Sequence, residues 1–565
     1  MQREIRWRRR RWFAPLLSGL FPGLGQAYTG RYGPAAAYFL FAISPVVFLA
    51  FLWRDPSATS LLEWRHFNTG HWIMLPFFLL FWVVNVVDAF RGSTPPQAPC
   101  VRACPAHIQI PHYINLVLEN RLEECHELIC RWTPLVGTIG HVCHHPCEKR
   151  CTRHDFDEPV AICPIKAFVG NHMIANQLLP AVPKPALREG APRVAVIGSG
   201  PAGLTAAFFL SRAGLRPTIF EALPVAGGML AVGIPAYRLP RTVLQAEIDF
   251  VRENGVEIRT GHAVGKDLSL DDLFAEGYQT IIAAPGTHRE AKLRVKGEEK
   301  EGVVGGLGFL RKVNLGQADP LAGPVVVVGG GNVAMDAARC ALRLGASPVT
   351  VVYRRSRQEM PANAWEIEEA EAEGVHFRFL TNPVLVLGEG AVEGVECLEM
   401  RLGEPDASGR RAPVPVEGSG FTIPCRHLIP AIGLAPETSF LEGTGARLSP
   451  AGLILTRPRS MKTHRRGLLA AGDAVLGASS VIQASAHGRE AAIQLALVTS
   501  RLGPFALREL KVGPFQGEFA ARARVPQVSR DPTSRAGDFR LIHQIYGPDA
   551  ALSEARRCLR CDVEV

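Results

Sequence analysis

The longest uninterrupted apolar stretches fall near the start of the chain. Residues 35–53, AAAYFLFAISPVVFLAFLW, carry no charge, and residues 72–90, WIMLPFFLLFWVVNVVDAF, carry only Asp88. As a helix, each is long enough to cross a hydrocarbon core of about 30 Å. The pattern therefore predicts a transmembrane helical hairpin within residues 1–95, with buried soluble helices as the alternative. An earlier run, 12–28, is interrupted by Pro15, Pro22, Gly23 and Gly25 and reads as interfacial or re-entrant. Beyond residue 95 the pattern becomes that of a soluble α/β protein. A strand at 193–197 leads into a helix and a second strand, PTIF, and the order recurs from VVVV through a helix to VTVVY.

Charge sharpens the membrane expectation. The 565-residue chain has a formal net charge of +9, and +5 of it lies in the first eleven residues, where Arg3, Arg6 and Arg8 to Arg11 outweigh Glu4. Arg91 follows the second span, so the positive-inside rule places both ends and the catalytic domains in the cytoplasm, with residues 54–71 outside. Trp53, Trp72 and Trp82 suit positions at or near the interfaces. The arginine run abuts an apolar segment and no aromatic–basic interleaving follows, which favours membrane lipid over nucleic acid as its partner. Two further apolar spans and the lack of a small-residue cleavage site weigh against a cleaved signal peptide.

The segment RVAVIGSGPAGLTAAFFLSRAG sets Gly198, Gly200 and Gly203 between a strand and a helix. Gly198 permits the tight turn, Gly200 lets the backbone approach a pyrophosphate, and Gly203 lets helix and strand pack closely. The helix N-terminus then faces the phosphate charge. Glu221, eighteen residues past Gly203, ends the second strand, where a carboxylate binds ribose hydroxyls and repels a 2′-phosphate. In the second unit Gly329, Gly331 and Ala334 hold the three positions, and the following strand ends in Arg354 and Arg355. Guanidinium groups there favour the 2′-phosphate of NADP over NAD. Two dinucleotide sites in one chain suit FAD in the first and a nicotinamide, brought to it for hydride transfer, in the second. Gly472 and Asp473, in LLAAGDAVLG, follow a short apolar strand where Asp473 can bind the ribityl or phosphate portion of FAD, and the Ala-rich helix after them closes the FAD domain.

Of the thirteen cysteines, eight lie between Cys100 and Cys163 and two close the chain, which indicates ligation in a reducing compartment rather than disulfides. The spacings are Cys100-x3-Cys104-Pro105, Cys143-x3-Cys147-x3-Cys151, then Cys163 and Cys558-x2-Cys561. Zinc is the alternative, given His141, His144 and His145. Zinc sites usually pair two short hooks, whereas thiolates in this number beside a flavin domain favour iron–sulfur clusters. Cys125, Cys130, Cys340, Cys397 and Cys425 read as buried apolar residues.

GHVCHHPCEKRC, VAVIGSGPAGL, FEALPVAGGMLAVGIPAYRLPR, VVVVGGGNVAMDAAR, VVYRRSRQEMPA and LLAAGDAVLG together resemble the small (β) subunit of bacterial glutamate synthase and its relatives, which include the N-terminal half of dihydropyrimidine dehydrogenase. The resemblance covers residues 100–500 and implies cofactor contacts at Gly228, Arg238 and Asn332. It also implies a helical domain carrying two [4Fe–4S] clusters. By the family pattern one cluster uses Cys558, Cys561, Cys100 and Cys151, and the other uses Cys104, Cys143 and Cys147 with a fourth ligand. No CxxC precedes Cys100 here, so the tail is expected to fold back and complete the domain. Relatives place Glu or Gln at the position of Lys166, and lysine is a poor ligand, so Cys163 is expected to supply the thiolate, with a [3Fe–4S] or absent second cluster as the alternative.

The expected fold is α/β: two Rossmann-like domains, the nicotinamide domain inserted in the FAD domain, plus an α-helical iron–sulfur domain and the membrane hairpin. The expected boundaries are 1–95 for the membrane segment and 96–185, completed by 540–565, for the cluster domain. The FAD domain takes 190–318 and 431–503, the NADP domain 319–430, and the tail 504–565. The chain reads as a membrane-anchored NAD(P)H:acceptor oxidoreductase serving an unidentified protein or quinone partner. A glutamate synthase-type electron-input subunit and a low-turnover redox sensor are the rivals. The absence of a CxxC within the nicotinamide domain counts against a thioredoxin-reductase-like enzyme.

Overall fold

A computed structural model describes residues 17, 36, 38, 80–87, 97–179, 190–406, 409–457, 460–499 and 521–561. The chain divides into two compact units, Met1–Ala98 with Cys561–Val565, and Pro99–Arg560. In the first, residues 80–87 are helical, and the Phe81 ring lies 5.5 Å from that of Tyr38. The two expected spans otherwise lie outside the described residues, among which no helix is long and apolar enough to cross a membrane.

The second unit opens with helices α1 (Ile110–Leu118), α2 (Leu122–Cys130), α3 (Val136–Val142) and α4 (Ile162–Ala175). The helices α3 and α4 meet along small residues. A methyl on Gly140 would stand 2.5 Å from the Ala167 backbone, and one on Gly170 would stand 2.4 Å from Gly137, so only bare backbone allows this approach.

The chain then builds a five-stranded parallel sheet from β1 (Arg193–Ile197), β2 (Arg216–Glu221), β3 (Glu257–Thr260) and β4 (Tyr278–Ala283). A fifth strand, which arrives nearly two hundred residues later, completes it at the β4 edge (Leu468–Ala470). Helices α5 (Pro201–Arg212), α6 (Arg241–Glu253) and a late one, Val481–Val498, belong to this domain. Between these two passes lies a second parallel sheet, made of β5 (Val325–Val328), β6 (Val349–Tyr353), β7 (His376–Phe379) and His427–Pro430 in the order His427–Pro430, β5, β6, β7. Helices α7 (Asn332–Arg343) and α8 (Ala364–Ala372) accompany it, and an antiparallel sheet is centred on a long strand, Gly394–Pro405. All four valines of β5 are buried, as parallel strands covered on both faces require. The second Rossmann domain is thus inserted within the first.

The tail does not trail away. Its helix Pro548–Ala555 packs against α1 and α4 of the cysteine-bearing domain. Two buried residues hold it there. The Glu554 carboxylate accepts from Ala161 N (2.7 Å), Val525 N (2.8 Å) and the Arg557 guanidinium (2.6 Å). Arg557 also donates to the carbonyls of Arg522, Pro159 and Glu158 and to Asp157. Upstream, the tail engages the second Rossmann domain, where Arg535 pairs with Glu373 and His543 with Glu369.

Candidate functional site

A cavity of about 550 Å³ opens at the C-terminal ends of the first parallel sheet and runs to the N-terminus of α7. Its floor is the turn between β1 and α5. Gly198 sits at φ +94°, where an L side chain is strained, and a methyl on Gly203 would stand 1.9 Å from the Gly198 carbonyl oxygen. Gly200 is different, because a methyl there would meet no protein atom within 4 Å. The space above it is free for a ligand approaching the N-terminus of α5. Glu221 is buried at the end of β2, accepting from Ser199 N (2.8 Å) and Ser199 Oγ (2.5 Å) on one oxygen and from Leu223 N (2.9 Å) on the other. Gly228 packs over the loop, and a methyl on it would reach 2.8 Å from the Gly200 Cα. Gly472 and Asp473 form the opposite wall. Burial pushes the Asp473 carboxyl up while a bond from Ser479 Oγ (2.5 Å) opposes it. A glycine cradle under a helix N-terminus, an acid at the end of the next strand and a second acid across the cavity fit the pyrophosphate, ribose and ribityl parts of FAD.

In the inserted domain, Gly329 turns at φ +148°, Ala334 is fully buried, and a methyl on Gly331 would find only Pro361, at 4.0 Å. Asn332 lines the cavity, and its side chain accepts from Asn363 N at 3.1 Å. The structure splits the arginine pair at the end of β6. Arg354 is exposed. Arg355 is 4% exposed, pairs with Asp406 at 2.5 Å and donates to the Arg411 carbonyl at 2.7 Å. It fastens the antiparallel sheet to β6, which leaves Arg354 as the surface arginine of the pair. Arg238, expected at a cofactor, lines the cavity and also bridges the two Rossmann domains. Its guanidinium donates to Asp336 and to Glu366, each at 2.6 Å. Neither carboxylate was singled out from sequence, although Asp336 lies four residues past Asn332 on the same face of α7.

The cysteines sort into two neighbourhoods. Cys163 opens α4, and its Sγ lies 3.2 Å from the Gly140 carbonyl. Its backbone N donates to Glu148 at 2.8 Å, which fastens it beside Cys147. The Cys163 thiol beside it, more than burial, sets Cys143, holding that thiol down at about 6. Cys104, Cys143, Cys147 and Cys163 are all buried, and all four act on the buried ammonium of Lys166. Around Cys151 and Cys558 the geometry is also closed. Arg153, two residues after Cys151, donates to the carbonyl of Arg557, the residue before Cys558 (3.0 Å). The short helix Pro99–Ala103, which carries Cys100, packs against the turn Glu148–Arg150 just before Cys151. Cys151, Cys558 and Cys561 are half-exposed. Among the described residues no three His, Cys, Asp or Glu side chains gather around a point fit for a single metal ion. Most of the thiols at the expected ligand positions are buried. All-sulfur donor sets spread over several turns of chain fit a multi-iron cluster.

Two nested Rossmann folds sharing one cavity, with a cysteine-rich helical domain at its rim, define a flavin- and nicotinamide-dependent oxidoreductase. Residues 192–488 match the family model of pyridine nucleotide-disulphide oxidoreductases. Residues 84–178 match that of dihydropyrimidine dehydrogenase domain II, 4Fe–4S cluster. The NADP(+)-dependent formate dehydrogenase subunit beta of Moorella thermoacetica is 43% identical over 499 residues, covering 82% of this chain and 70% of that one. The NADPH-Fe(3+) oxidoreductase subunit beta of Geobacter sulfurreducens is 38% identical over 507 residues (82% and 75%). The glutamate synthase [NADPH] small chain of Halomonas elongata is 36% identical over 408 residues (69% and 86%). The chain belongs to the pyridine nucleotide-disulphide oxidoreductase family, in its glutamate synthase small-chain-like group. It is an FAD-dependent NAD(P)H oxidoreductase with a 4Fe–4S domain.

Proposed function

We propose that this chain is a membrane-anchored electron-transfer subunit that moves electrons between NADPH and a protein or quinone partner by way of FAD and two [4Fe–4S] clusters. The observation that carries the reading is the cavity wall. Val142 and His144, the residues either side of Cys143, line the same cavity as Gly200, Asp473 and Asn332. The expected cluster, flavin and nicotinamide positions therefore share one chamber. When bound, FAD supplies the conversion between the two-electron chemistry of a nicotinamide and the one-electron chemistry of clusters.

The chain's own residues position these groups. The Gly198–Gly203 turn and Glu221 hold the FAD diphosphate and ribose, and Asp473 faces its ribityl chain. Gly329 to Ala334 receive the nicotinamide dinucleotide, and Arg354 meets its 2′-phosphate. Arg238 fixes one Rossmann domain against the other. His144 stands at the chamber wall with its Nε2 3.4 Å from the Asn332 amide, and burial depresses it to about 4, which keeps it neutral. Cys104, Cys143, Cys147 and Cys163 hold the cluster nearer the chamber. By the family pattern Cys100, Cys151, Cys558 and Cys561 would hold the outer one, and the half-exposed Cys151 and Cys558 suit electron exchange with a partner. The membrane reading draws support from residues 80–87. This helix buries Asn85 and exposes Leu80 (61%), Val83 (58%) and Val84 (48%), the reverse of a helix made for water.

Anaerobic NADPH titration of detergent-solubilised protein, followed by visible absorption and EPR, tests the reading. Flavin bleaching and two S = ½ cluster signals are expected, with the protein remaining in the membrane fraction after alkaline carbonate washing. Bleaching without cluster signals would overturn the electron path, and release by carbonate would overturn the anchor.

A further inference from the structure

The charges that line the chamber do not balance in pairs. Among the described residues its cations are Arg238, Lys266 and Arg311, and its carboxylates are Glu221, Asp336, Glu437 and Asp473. Arg238 is matched by Asp336 and Glu366, and Lys266 is exposed to solvent. Arg311 is half-buried, on the helix Gly306–Asn314, and no carboxylate among the described residues forms an ion pair with it. The acids of the chamber are engaged elsewhere. Glu221 accepts from Ser199 and Leu223, Asp336 from Arg238 and Tyr237, Glu437 from Ser439 N (3.2 Å), and Asp473 from Ser479. Glu290, at the start of the same helix, accepts from Leu307 N at 2.7 Å. The guanidinium of Arg311 instead reaches His288, another residue of the chamber wall, with its Nη2 3.4 Å from Nδ1. Burial and the nearby guanidinium lower His288, so its ring is neutral and gives Arg311 no countercharge. The Nε of Arg311 is buried and makes no hydrogen bond, an arrangement that costs free energy until an acceptor arrives.

The helix that carries Arg311 lies where both dinucleotide sites meet. Its last residue, Asn314, bonds to the Val232 carbonyl (2.9 Å) and to Arg241 (2.9 Å) in the FAD domain. Its body packs against α7, and a methyl on Gly306 would stand 3.3 Å from Val333, beside the glycine turn of the nicotinamide domain. Leu307, Leu310 and Arg311 share one face, and all three line the chamber. The two glycine turns, Gly198–Gly203 and Gly329–Ala334, offer backbone N–H groups at a helix N-terminus, but neither contains a cation.

We propose that Arg311 is a phosphate-binding residue of the chamber, whose guanidinium takes the diphosphate of a bound dinucleotide. The inference rests on the dinucleotide reading of the chamber and adds to it a contact outside both glycine turns. A guanidinium presents its N–H groups in a flat fork that matches two phosphate oxygens, and such charge-assisted bonds are the strong ones. The diphosphate would supply the negative partner that no side chain of the wall provides. FAD and NADP(H) carry the same diphosphate chemistry, and their separate binding constants distinguish which of them Arg311 holds.

The test compares the purified whole protein with Arg311→Met and Arg311→Lys. Three quantities are measured in each: the Kd for FAD of the deflavinated protein, the Kd for NADP+ and for NAD+ of the flavin-loaded protein, and the urea midpoint. Methionine keeps much of the bulk and removes the charge, whereas lysine keeps the charge without the fork. In Arg311→Met one dinucleotide should bind about tenfold or more weakly, the scale of a lost charge-assisted hydrogen bond, and Arg311→Lys should fall between. If the ligand is the nicotinamide dinucleotide, NADP+ and NAD+ lose affinity by the same factor, because both carry the diphosphate, and FAD is unmoved. If it is FAD, only the FAD constant rises. Unchanged affinity for all three in Arg311→Met would overturn the proposal. A loss confined to NADP+ would overturn it by placing Arg311 at the 2′-phosphate, and equal losses in both variants with a lowered urea midpoint would give it a packing role instead. A wild-type protein that binds neither FAD nor NADP+ would overturn the dinucleotide reading itself.

Discussion

Two glycines of the FAD domain make a paired experiment, because the same added methyl has opposite consequences at each. Gly200 has φ −67° and ψ −177°, a backbone that any residue accepts, and a methyl there meets no protein atom within 4 Å. Gly488, on the late helix Val481–Val498, would drive its methyl to 2.0 Å from the Ala202 carbonyl oxygen and 2.8 Å from the Ala202 Cα. That collision is with α5 backbone, which no rotamer change relieves, at a helix pair already tied by Thr205 and Ser485 at 2.8 Å. Gly200→Ala should therefore leave the flavin-free protein within about 0.5 kcal/mol of wild type. It should still weaken FAD binding, since one methyl forced into a filled space costs about 1–3 kcal/mol, or roughly 5- to 150-fold. Gly488→Ala should destabilise the flavin-free protein by about 3 kcal/mol. The assays are urea unfolding of the deflavinated proteins and titration with FAD followed by flavin fluorescence. Wild-type FAD affinity in Gly200→Ala, or equal destabilisation in both variants, would refute the placement of the pyrophosphate over that turn.

Three further outcomes are expected. Glu554→Ala removes the acceptor of three buried donors and leaves Arg557 short of a partner, costing about 3–5 kcal/mol; iron analysis should show loss of the outer cluster ahead of FAD. Arg354→Glu should raise KM for NADPH about tenfold or more, the scale of a lost charge-assisted phosphate contact, with KM for NADH unchanged, whereas Arg355→Ala should lower stability and leave the NADPH/NADH ratio alone. Glu247, which accepts from Gly137 N and Thr138 N, is raised from 4.5 to about 7 by burial despite those bonds. Between those values the folded state keeps a proton that the unfolded chain has released. Stability should therefore fall as pH rises through that window, by about 3 kcal/mol in all, and urea midpoints of Glu247→Gln should lose that part of the slope.

The parts of the site that sequence reveals are those in which neighbouring residues carry the whole requirement. Gly198, Gly200, Gly203 and Glu221 form one strand–helix–strand unit, so their spacing already fixes their geometry. The return of the tail to the helical domain was legible for a related reason, since Cys558-x2-Cys561 carries the spacing that the stretch before Cys100 lacks. Tertiary partners decide the rest. Arg354 and Arg355 are equivalent by motif, and only Asp406, fifty-one residues on, turns Arg355 into a fastening for the antiparallel sheet. Arg238 reads as a ligand contact until Asp336 and Glu366, ninety-eight and one hundred and twenty-eight residues away, appear at its guanidinium.

The tail has a consequence for how the two halves of the redox path are held. Between its contacts with the helical domain at Arg524 and at Glu554 it meets the nicotinamide domain, where Glu373 gathers Arg339, Arg343 and Arg535, and where Ile542 N donates to the Tyr237 carbonyl at 3.1 Å. Tyr237 is itself buried beneath Arg339 and Arg343, and its hydroxyl donates to Asp336, one of the two carboxylates that Arg238 clamps. The same tail then enters the helical domain through Glu554 and Arg557 and delivers Cys558. A single segment thus makes the inter-domain clamp at the cavity and the outer ligand set depend on one another. The stretch that carries Cys558 is thereby held by the nicotinamide domain as well as by the helical domain.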